Sequence, residues 1–186
     1  MFVVNAIQVG GYDPCTITDF EVPKKYKLRQ TIADTLGIGG IFRTIRTIPV
    51  LEEIFKDMKE LCPKAMFLNY VNPMAIITGY IQKYLWPNTI GLCHSVQYCV
   101  EGLFKSIGMD DLINKCKWEI AGINHQAWLL KITDLYDVDL YPEIKRRSLS
   151  NEYKDKMNWD LVRHDMMHRF GYYITESSEH TSEYTP

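Results

Sequence analysis

Short apolar runs alternate with amphipathic stretches through the first half of the chain, and this alternation constrains the fold more than any other feature. The runs that resemble buried strands lie at 2–9, 64–71 and 89–93. The stretches with helical spacing of apolar residues lie at 50–61, 74–85 and 96–107. Strands that alternate with helices form parallel sheets with helices packed on their faces. The sequence therefore predicts the α/β class, with a doubly wound parallel sheet.

Local signals predict where helices begin and end. Pro49 is predicted to begin a helix in its first turn, where the missing backbone N–H costs nothing. The glycine-rich segment 35–40 is interpreted as a flexible turn, because it lacks the pattern of a phosphate-binding loop. Ser95 is predicted to cap the helix that follows it, and Gly108 to end that helix.

The pattern changes near residue 119. The segment 119–132 is predicted to be extended, with Asn124 and His125 in its middle. Charge-rich helices are predicted after it, at 141–148 and 151–169. We therefore expect a domain boundary near residue 120, with a parallel-sheet domain before it and a mixed α+β region after it.

The composition excludes several classes of protein. Hydrophobic residues make up 46% and charged residues 24%, as in soluble globular proteins. The formal net charge of −2 gives no electrostatic reason to bind nucleic acid or an anionic membrane. No apolar run approaches the roughly 20 residues that span a bilayer. The N-terminus lacks a secretory signal pattern, and five cysteines without a C-x-x-C favour reduced thiols in the cytoplasm.

Two residue pairs carry the clearest chemical signal. Cys93-His94 and Asn124-His125 each end an apolar run. Because ligands collect at the carboxyl ends of strands in α/β sheets, both pairs could face one crevice. A thiolate and an imidazole there could bind a divalent metal, and on donor softness alone that metal would be zinc. The alternative is a buried thiol and a hydrogen-bonded core histidine, since this spacing matches no zinc motif.

Two further polar features have both a functional and a structural interpretation. Asn72 precedes Pro73, which favours an extended backbone, and its amide can both donate to and accept from sugar hydroxyls. Taken alone, this dipeptide favours a strand-terminating turn that binds no ligand. His164 and His168 have a spacing that can bind metal, but without the Glu of H-E-x-x-H a solvated helix face is favoured.

Four ordered motifs resemble the family-4 glycoside hydrolases, and within them the α-galactosidase branch. The resemblance covers nearly the whole chain. The motifs are Asn69-Tyr-Val-Asn-Pro-Met-Ala, Gly91-Leu-Cys-His-Ser-Val-Gln, Ala121-Gly-Ile-Asn-His-Gln-Ala-Trp and Thr175-Glu-Ser-Ser-Glu-His-Thr-Ser-Glu-Tyr.

The resemblance also indicates that parts of the family pattern are missing. The family begins with a glycine-rich dinucleotide-binding turn, which this sequence lacks, and continues beyond the point where this chain ends. We therefore interpret the chain as an internal piece of a longer enzyme or a truncated gene product. On this interpretation 1–118 is the C-terminal part of a Rossmann-like dinucleotide-binding domain, and 119–186 begins the catalytic domain.

The resemblance assigns roles to individual residues. Cys93 and His125 match the protein ligands of the family's divalent metal, typically manganese, and Asn72 matches its sugar-binding asparagine. His94 holds the position of the acid that assists the leaving group, and an imidazole can donate a proton around neutral pH. A structural histidine is the alternative.

The base, the cofactor contact and a second sugar contact are predicted with less support from the motifs. Family members take the base from the region that corresponds to 170–183, where Tyr173 is the first candidate and Glu179 the second. Tyr173 is equally typical of a strand packing residue. We further predict that Asn5 contacts NAD and that Asn124 contacts the substrate.

The reaction implied by the resemblance is hydrolysis of α-galactosides such as melibiose through oxidation, elimination, addition and reduction, with NAD and Mn²⁺ as cofactors. The expected partner is this small sugar, with no nucleic acid or membrane, and the full-length protein is expected to form a homo-oligomer. The alternatives are an NAD-dependent dehydrogenase and an inactive remnant. The missing glycine-rich turn favours the remnant, and the chain by itself is expected to be inactive.

Overall fold

The computed structural model describes residues 1–185 and divides into two compact units. The first unit is Met1–Cys93, and the second begins at His94. These units are defined by their internal contacts, whereas the predicted boundary between 118 and 119 separates domains of the family. That boundary stays a prediction.

The first unit contains three strands and three α-helices. The strands are β1 (Phe2–Asn5), β2 (Met66–Asn69) and β3 (Thr89–Gly91), and the helices are α1 (Ile17–Lys25), α2 (Gly37–Leu61) and α3 (Met74–Tyr80). Wider helical turns precede α1 at Gly11–Thr16 and follow α3 at Ile81–Leu85. The sheet is parallel in the order β1-β2-β3, as the alternation predicts. Its core lies around Phe55, Phe67 and Ile77.

Helix α2 differs from the prediction, which began a helix at Pro49. The helix starts twelve residues earlier and passes through Pro49. Its buried positions continue with three- and four-residue spacing on both sides of the proline, at Thr44, Thr47, Leu51, Phe55 and Met58. Pro49 is exposed, so the lost backbone hydrogen bond lies on the solvent side, where water can replace it. Packing of the inner face therefore overrides the proline signal.

The glycines of 35–40 are required by close packing, so the interpretation as a flexible turn is wrong. Gly37–Gly40 form the first turn of α2. A Cβ on Gly39 would lie 2.6 Å from the carbonyl oxygen of Ala33, and one on Gly40 would lie 2.9 Å from the carbonyl carbon of Thr35. Only glycine lets the preceding segment cross the helix this closely.

The second unit combines an antiparallel sheet with helices. Its strands are β4 (Cys116–Ile123), β5 (Gln126–Asp134) and β6 (Tyr173–Ile174), in the order β4-β5-β6. The helices are α4 (Ser95–Ser106), α5 (Tyr141–Ser148), α6 (Lys154–Met157), α7 (Leu161–Phe170) and α8 (Ser178–Glu183), with short 3₁₀ turns at Asp110–Leu112 and Asn151–Tyr153. The core includes Leu103, Phe104, Leu129 and Tyr173. The two kinds of sheet confirm the predicted combination of an α/β part with the start of an α+β part.

The strand that precedes His125 is not part of the parallel sheet. The segment 119–132 is a hairpin, and Asn124-His125 is its turn. The sequence argument places both residue pairs at the carboxyl ends of parallel strands. Only Cys93-His94 follows such a strand, because Asn124-His125 is a hairpin turn. Within the described residues, no helix is long and apolar enough to cross a membrane.

Candidate active site

The carboxyl edge of the parallel sheet carries a network of neutral amides. Asn5 and Asn69 are paired in register, and the Asn5 Nδ2 donates to the Asn69 Oδ1 at 2.9 Å. The Asn69 amide donates in turn to the Thr78 hydroxyl at 3.1 Å and to the Val71 carbonyl at 3.3 Å. Asn5 is 5% exposed and Asn69 is fully buried. Satisfied buried amides of this kind fix the loop that follows β2.

Asn72 lies directly after this edge and is oriented by Asp34. Its Nδ2 donates to an Asp34 carboxylate oxygen at 2.9 Å, and its Oδ1 accepts from the Met74 backbone N–H at 3.3 Å. The Arg43 Nε donates to the Asn72 carbonyl oxygen at 3.2 Å. The side chain is therefore held in one orientation, which would reduce the entropy cost of a hydrogen bond to a ligand.

The turn between β4 and β5 directs the His125 side chain into the interior of the second unit. His125 has a φ of +60°, in the left-handed region that histidine enters more readily than most residues. Its side chain is buried, with 3% exposure. Across the hairpin, a Cβ on Gly122 would lie 2.5 Å from the Ala127 Cα, so glycine is required there. A buried polar side chain held by this backbone conformation is typical of a functional position.

Strand β6 brings Glu176 to His125. Trp128 pairs with Ile174, and the Thr175 N–H donates to the Ala127 carbonyl at 2.9 Å, so the register leads Glu176 toward the turn. The His125 Nε2 lies 3.2 Å from the Glu176 Oε2, and both residues are buried.

A second imidazole adjoins this pair. The ring centroids of His125 and His180 are 4.7 Å apart, and the His180 Nδ1 lies 3.5 Å from the Glu176 Oε1. The Ser177 hydroxyl lies 3.0 Å from the same Nδ1, and the Ser177 N–H donates to Glu176 at 2.9 Å. An imidazole and a carboxylate that share a buried location are donors suited to a divalent cation. A carboxylate oxygen is a harder ligand than a thiolate or an imidazole. Its presence beside His125 therefore favours manganese over zinc, the metal that thiolate and imidazole ligands alone would suggest.

A buried ionic network supports the segment that carries Glu176. The Arg163 Nε donates to the Ile174 carbonyl at 3.0 Å and its Nη2 to the Thr175 carbonyl at 3.1 Å. The same guanidinium lies 3.4 Å from Asp160 and over the Tyr173 ring, 4.3 Å from its centroid. Burial raises the pKa of Asp160, although Arg163 and hydrogen bonds from Tyr173 and Ser178 oppose the increase. Arg163 thus fixes the backbone immediately before Glu176.

Tyr173, the first candidate for the base, is at the centre of this network. The side chain is fully buried and its hydroxyl donates to the Asp160 carboxylate. Burial raises the pKa of Tyr173 well above its ordinary value. This location does not favour proton abstraction from a substrate, and the assignment stays a prediction. Glu179, the second candidate, lies exposed on α8.

His94 opens a cavity in the second unit. The cavity has a volume of about 340 Å³, and its lining includes His94, Arg163, Thr175 and Glu176. The acid predicted from the sequence and the carboxylate found beside His125 therefore border the same space. Cys93 is half-buried and precedes His94 directly in the chain. Asn124 is half-buried in the hairpin turn.

His164 is not on a solvated face, so that interpretation is wrong. It is 5% exposed, its Nε2 lies 3.2 Å from the Ser106 hydroxyl, and its Nδ1 has no hydrogen-bond partner. Burial, assisted by Arg163 and His168, lowers the pKa of His164 to about 4. His168 is exposed and contacts Ser148.

Sequence reasoning missed the supporting residues of the site. The sequence does not distinguish Glu176 from the other acidic and aromatic residues at 170–183, and it gives no indication of a site role for Asp34 or Arg163. The Thr175-Glu176 motif was the available signal for Glu176. No such signal marks a buried arginine, because in the sequence it cannot be distinguished from the arginines that lie exposed on helices.

Family models match nearly the whole chain. The model of family 4 glycosyl hydrolases matches residues 1–109, and that of their C-terminal domain matches residues 120–186. The chain belongs to family 4 of the glycosyl hydrolases. The α-galactosidase of Bacillus subtilis (strain 168) is 59% identical over 185 residues, which cover all of this family 4 chain and 42% of that protein. The chain therefore spans less than half of this relative's length.

Solved structures share the family 4 fold. The Bacillus subtilis protein LplD superimposes with a TM-score of 0.80 at 24% identity, covering 100% of this chain and 46% of the other. A 6-phospho-α-glucosidase from gut microorganisms has a TM-score of 0.74 at 18% identity, with 98% of this chain and 43% of the other covered. That enzyme was solved in complex with NAD and Mn²⁺. At these identities the likeness defines the fold alone.

Proposed function

We propose that this chain contributes the metal- and sugar-binding part of an enzyme that hydrolyses α-galactosides such as melibiose with NAD and Mn²⁺. The observation that carries the proposal is the buried His125–Glu176 pair, 3.2 Å apart, with Glu176 on the cavity that His94 opens. The identity of 59% to a Bacillus subtilis α-galactosidase supports the galactoside. The complex of the 6-phospho-α-glucosidase with NAD and Mn²⁺ supports the cofactors.

The metal is proposed to bind His125 and Cys93, with Glu176 as a further ligand or as the group that orients His125. Cys93 is one residue from His94, whose side chain shares a cavity with Glu176, so the chain itself limits how far the thiol can be from this carboxylate. NAD is proposed to lie at the carboxyl edge of the parallel sheet near Asn5. When bound, NAD would accept and return a hydride, and the cation would stabilise negative charge on sugar oxygens.

The chain's own residues are proposed to bind the sugar and move protons. Asn72, held by Asp34, and Asn124 would accept and donate hydrogen bonds to hydroxyls of the galactose. His94 would donate a proton to the leaving oxygen. Glu179 is favoured as the base over Tyr173, because the Tyr173 hydroxyl donates inward to Asp160.

The test uses a chimera in which this chain replaces the matching segment of the Bacillus subtilis α-galactosidase. Release of p-nitrophenol from p-nitrophenyl α-galactoside is measured with and without NAD and Mn²⁺. We expect release that requires both. Release without NAD would contradict the redox reaction, net NAD reduction without release would favour a dehydrogenase, and no release would favour an inactive remnant.

The ligands are tested on the chain itself by Mn²⁺ titration followed by electron paramagnetic resonance. We expect His125→Gln and Cys93→Ser each to weaken binding at least about tenfold. His168→Gln is the matched control, because this histidine is exposed on α7. Equal affinity in all variants would contradict the metal site.

The same proposal includes the cellular setting. Five scattered cysteines without a C-x-x-C support a reducing compartment, and we propose the cytoplasm. Activity is proposed to belong to a longer chain that forms a homo-oligomer. Sedimentation of the chimera beside the Bacillus subtilis enzyme tests the oligomeric state.

A further inference from the structure

A small cavity lies at the end of α1 in the first unit. Its volume is about 260 Å³, and it is lined by Phe20, Lys24, Lys27, Leu28, Arg29 and Gln30. Three of these six side chains are cationic and none is acidic. None of the six is among the residues proposed above to bind the galactoside, NAD or the metal. One short stretch of chain therefore forms a positively charged recess that the proposed function does not use.

Most of this positive charge is not neutralised by neighbouring carboxylates. The Lys24 Nζ lies 2.9 Å from the Glu21 carboxylate, but both side chains are exposed, so this pair contributes little. Lys27 and Arg29 are exposed, and within residues 1–185 neither forms an ion pair. The segment 24–29 carries four cationic side chains in a chain whose net charge is −2. Such a local excess of one sign attracts ligands of the opposite charge.

The end of α1 does not by itself account for these charges. A helix C-terminus carries about half a negative charge, which a single lysine offsets. The Pro23 carbonyl already accepts from the Leu28 N–H at 3.1 Å, and the Lys24 carbonyl accepts from the Lys27 N–H at 3.0 Å. The last carbonyls of the helix are therefore satisfied by the backbone, and the remaining cations exceed what the helix end requires.

Lys27 has a backbone conformation that favours glycine. Its φ is +60°, in the left-handed region, and it lies just past the C-cap residue Tyr26, where glycine is the usual residue. Its side chain is exposed, so packing does not offset the cost of this conformation. A side chain that is kept in a disfavoured backbone conformation indicates a functional position.

The other lining residues define the kind of anion that fits. A guanidinium can bind two phosphate oxygens side by side, and an ammonium group adds charge. Phe20 and Leu28 provide an apolar wall for a ring. Gln30 fixes the recess, because its Nε2 donates to the Asp19 carbonyl at 2.7 Å and its Oε1 accepts from the Gly39 N–H at 2.8 Å. The volume lies just below the roughly 300–1,000 Å³ of most ligand clefts, which limits the ligand to one ring.

We propose that this cavity binds a small, soluble phosphate monoester, with the phosphate between Lys27 and Arg29 and the ring against Leu28. No carboxylate, thiol or imidazole lines the cavity, so the ligand binds without reacting. The site does not depend on the proposed hydrolysis, because the two involve different residues. Binding to the chain and activity of the chimera can therefore fail independently.

The test is a titration of the ¹⁵N-labelled 186-residue chain with phenyl phosphate at pH 7, followed by two-dimensional NMR. We expect saturable shifts confined to the amide signals of 20–30. Inorganic phosphate lacks the ring, and phenyl sulfate carries one negative charge instead of the ~1.5–2 of a phosphate monoester, so both should bind more weakly. Equal affinity for the three anions would indicate an adventitious ion only and overturn the proposal, as would the absence of a saturable shift.

Lys27→Gly separates binding from folding. Because glycine adopts a φ of +60° more readily than lysine, the midpoint of urea unfolding should not fall. The affinity for phenyl phosphate should fall about tenfold, since a charged hydrogen-bond donor is lost. Lys27→Gln keeps a long side chain at this position and should lose the same affinity. Unchanged affinity in both variants would overturn the proposal.

Lys25→Gln is the matched control, because Lys25 is exposed two residues away and does not line the cavity. Its affinity should be unchanged, and a loss equal to that of Lys27→Gln would mean diffuse attraction by surface charge. Arg29→Lys keeps the charge but loses the paired donors, and it should weaken binding about threefold. Binding to phosphatidic acid vesicles without a response to phenyl phosphate would assign the patch to a membrane surface and overturn the proposal.

Discussion

The two units bury polar groups in different ways. At the carboxyl edge of the parallel sheet the buried side chains are amides and a hydroxyl, which are neutral and hydrogen-bonded to one another. In the second unit the buried polar side chains include ionisable groups: Asp160, Arg163, His164 and the His125–Glu176 pair. A neutral network can hold a loop at any pH, whereas an ionisable one can move protons and hold a cation. This difference supports the proposal that the first unit contributes recognition and the second contributes proton chemistry.

The largest expected effect sharpens this contrast. Arg163→Met leaves Asp160 buried without its cation and leaves the Ile174 and Thr175 carbonyls without donors. The free energy of unfolding should fall by about 3–5 kcal/mol, as for other broken buried pairs. Urea unfolding measures it, and Arg169→Met is the control, because its partner Asp165 is exposed on the same helix. Equal losses in both variants would contradict a buried ionic network.

The second prediction concerns the pH dependence of stability. The pKa of His164 is about 4 in the folded chain, below its ordinary value of 6.5, so the unfolded chain binds more protons between these values. Stability should therefore decrease as pH falls from about 6.5 to about 4, by about 3 kcal/mol from this group. The raised pKa of Asp160 acts in the opposite direction at the acidic end.

This dependence is checked by measuring unfolding free energies across that range in His164→Gln. The variant should lose most of the slope, whereas His168→Gln, an exposed neighbour on α7, should keep it. The same slope in all three proteins would contradict a role for His164.

The third and smallest prediction tests the comparison by placing an ionisable side chain at the sheet edge of the first unit. Asn69→Asp replaces a fully buried amide with a carboxylic acid that cannot donate to both Val71 and Thr78. Burial should raise the pKa of the new acid above about 3.9, so the destabilisation should grow as pH rises through that raised pKa. At neutral pH we expect a loss of about 2–3 kcal/mol.

The sign of this dependence is opposite to that of His164, and urea unfolding at pH 4 and pH 7 measures it. Asn158→Asp, at an exposed position just after α6, is the control. A loss that does not depend on pH would mean that the sheet edge tolerates charge, and the contrast between the units would not hold.

The sequence predicts the parallel sheet and the extended backbone of 119–132, though not the hairpin, because short apolar runs and helical spacing are local signals. It places Asn72 and His94 beside strands for the same reason. It does not predict that α2 continues through Pro49. The buried face of that helix packs on both sides of the proline, which a local proline signal does not reveal. Nor does it predict that His164 is buried or that Arg163 binds the β6 backbone. Those facts depend on which helix face meets the sheet, which charge patterns do not reveal.

The shortness of β6 has a consequence for how this fold can change over evolutionary time. Two residues pair this strand with β5, and a side chain from α7 holds the backbone that follows it. The position of the Glu176 carboxylate thus depends on a two-residue strand and one arginine side chain, while His125 is fixed by a tight hairpin. A substitution at Glu176, or a shift of this short strand by one residue, would therefore leave the imidazole where the hairpin holds it, so the two members of the pair can change independently.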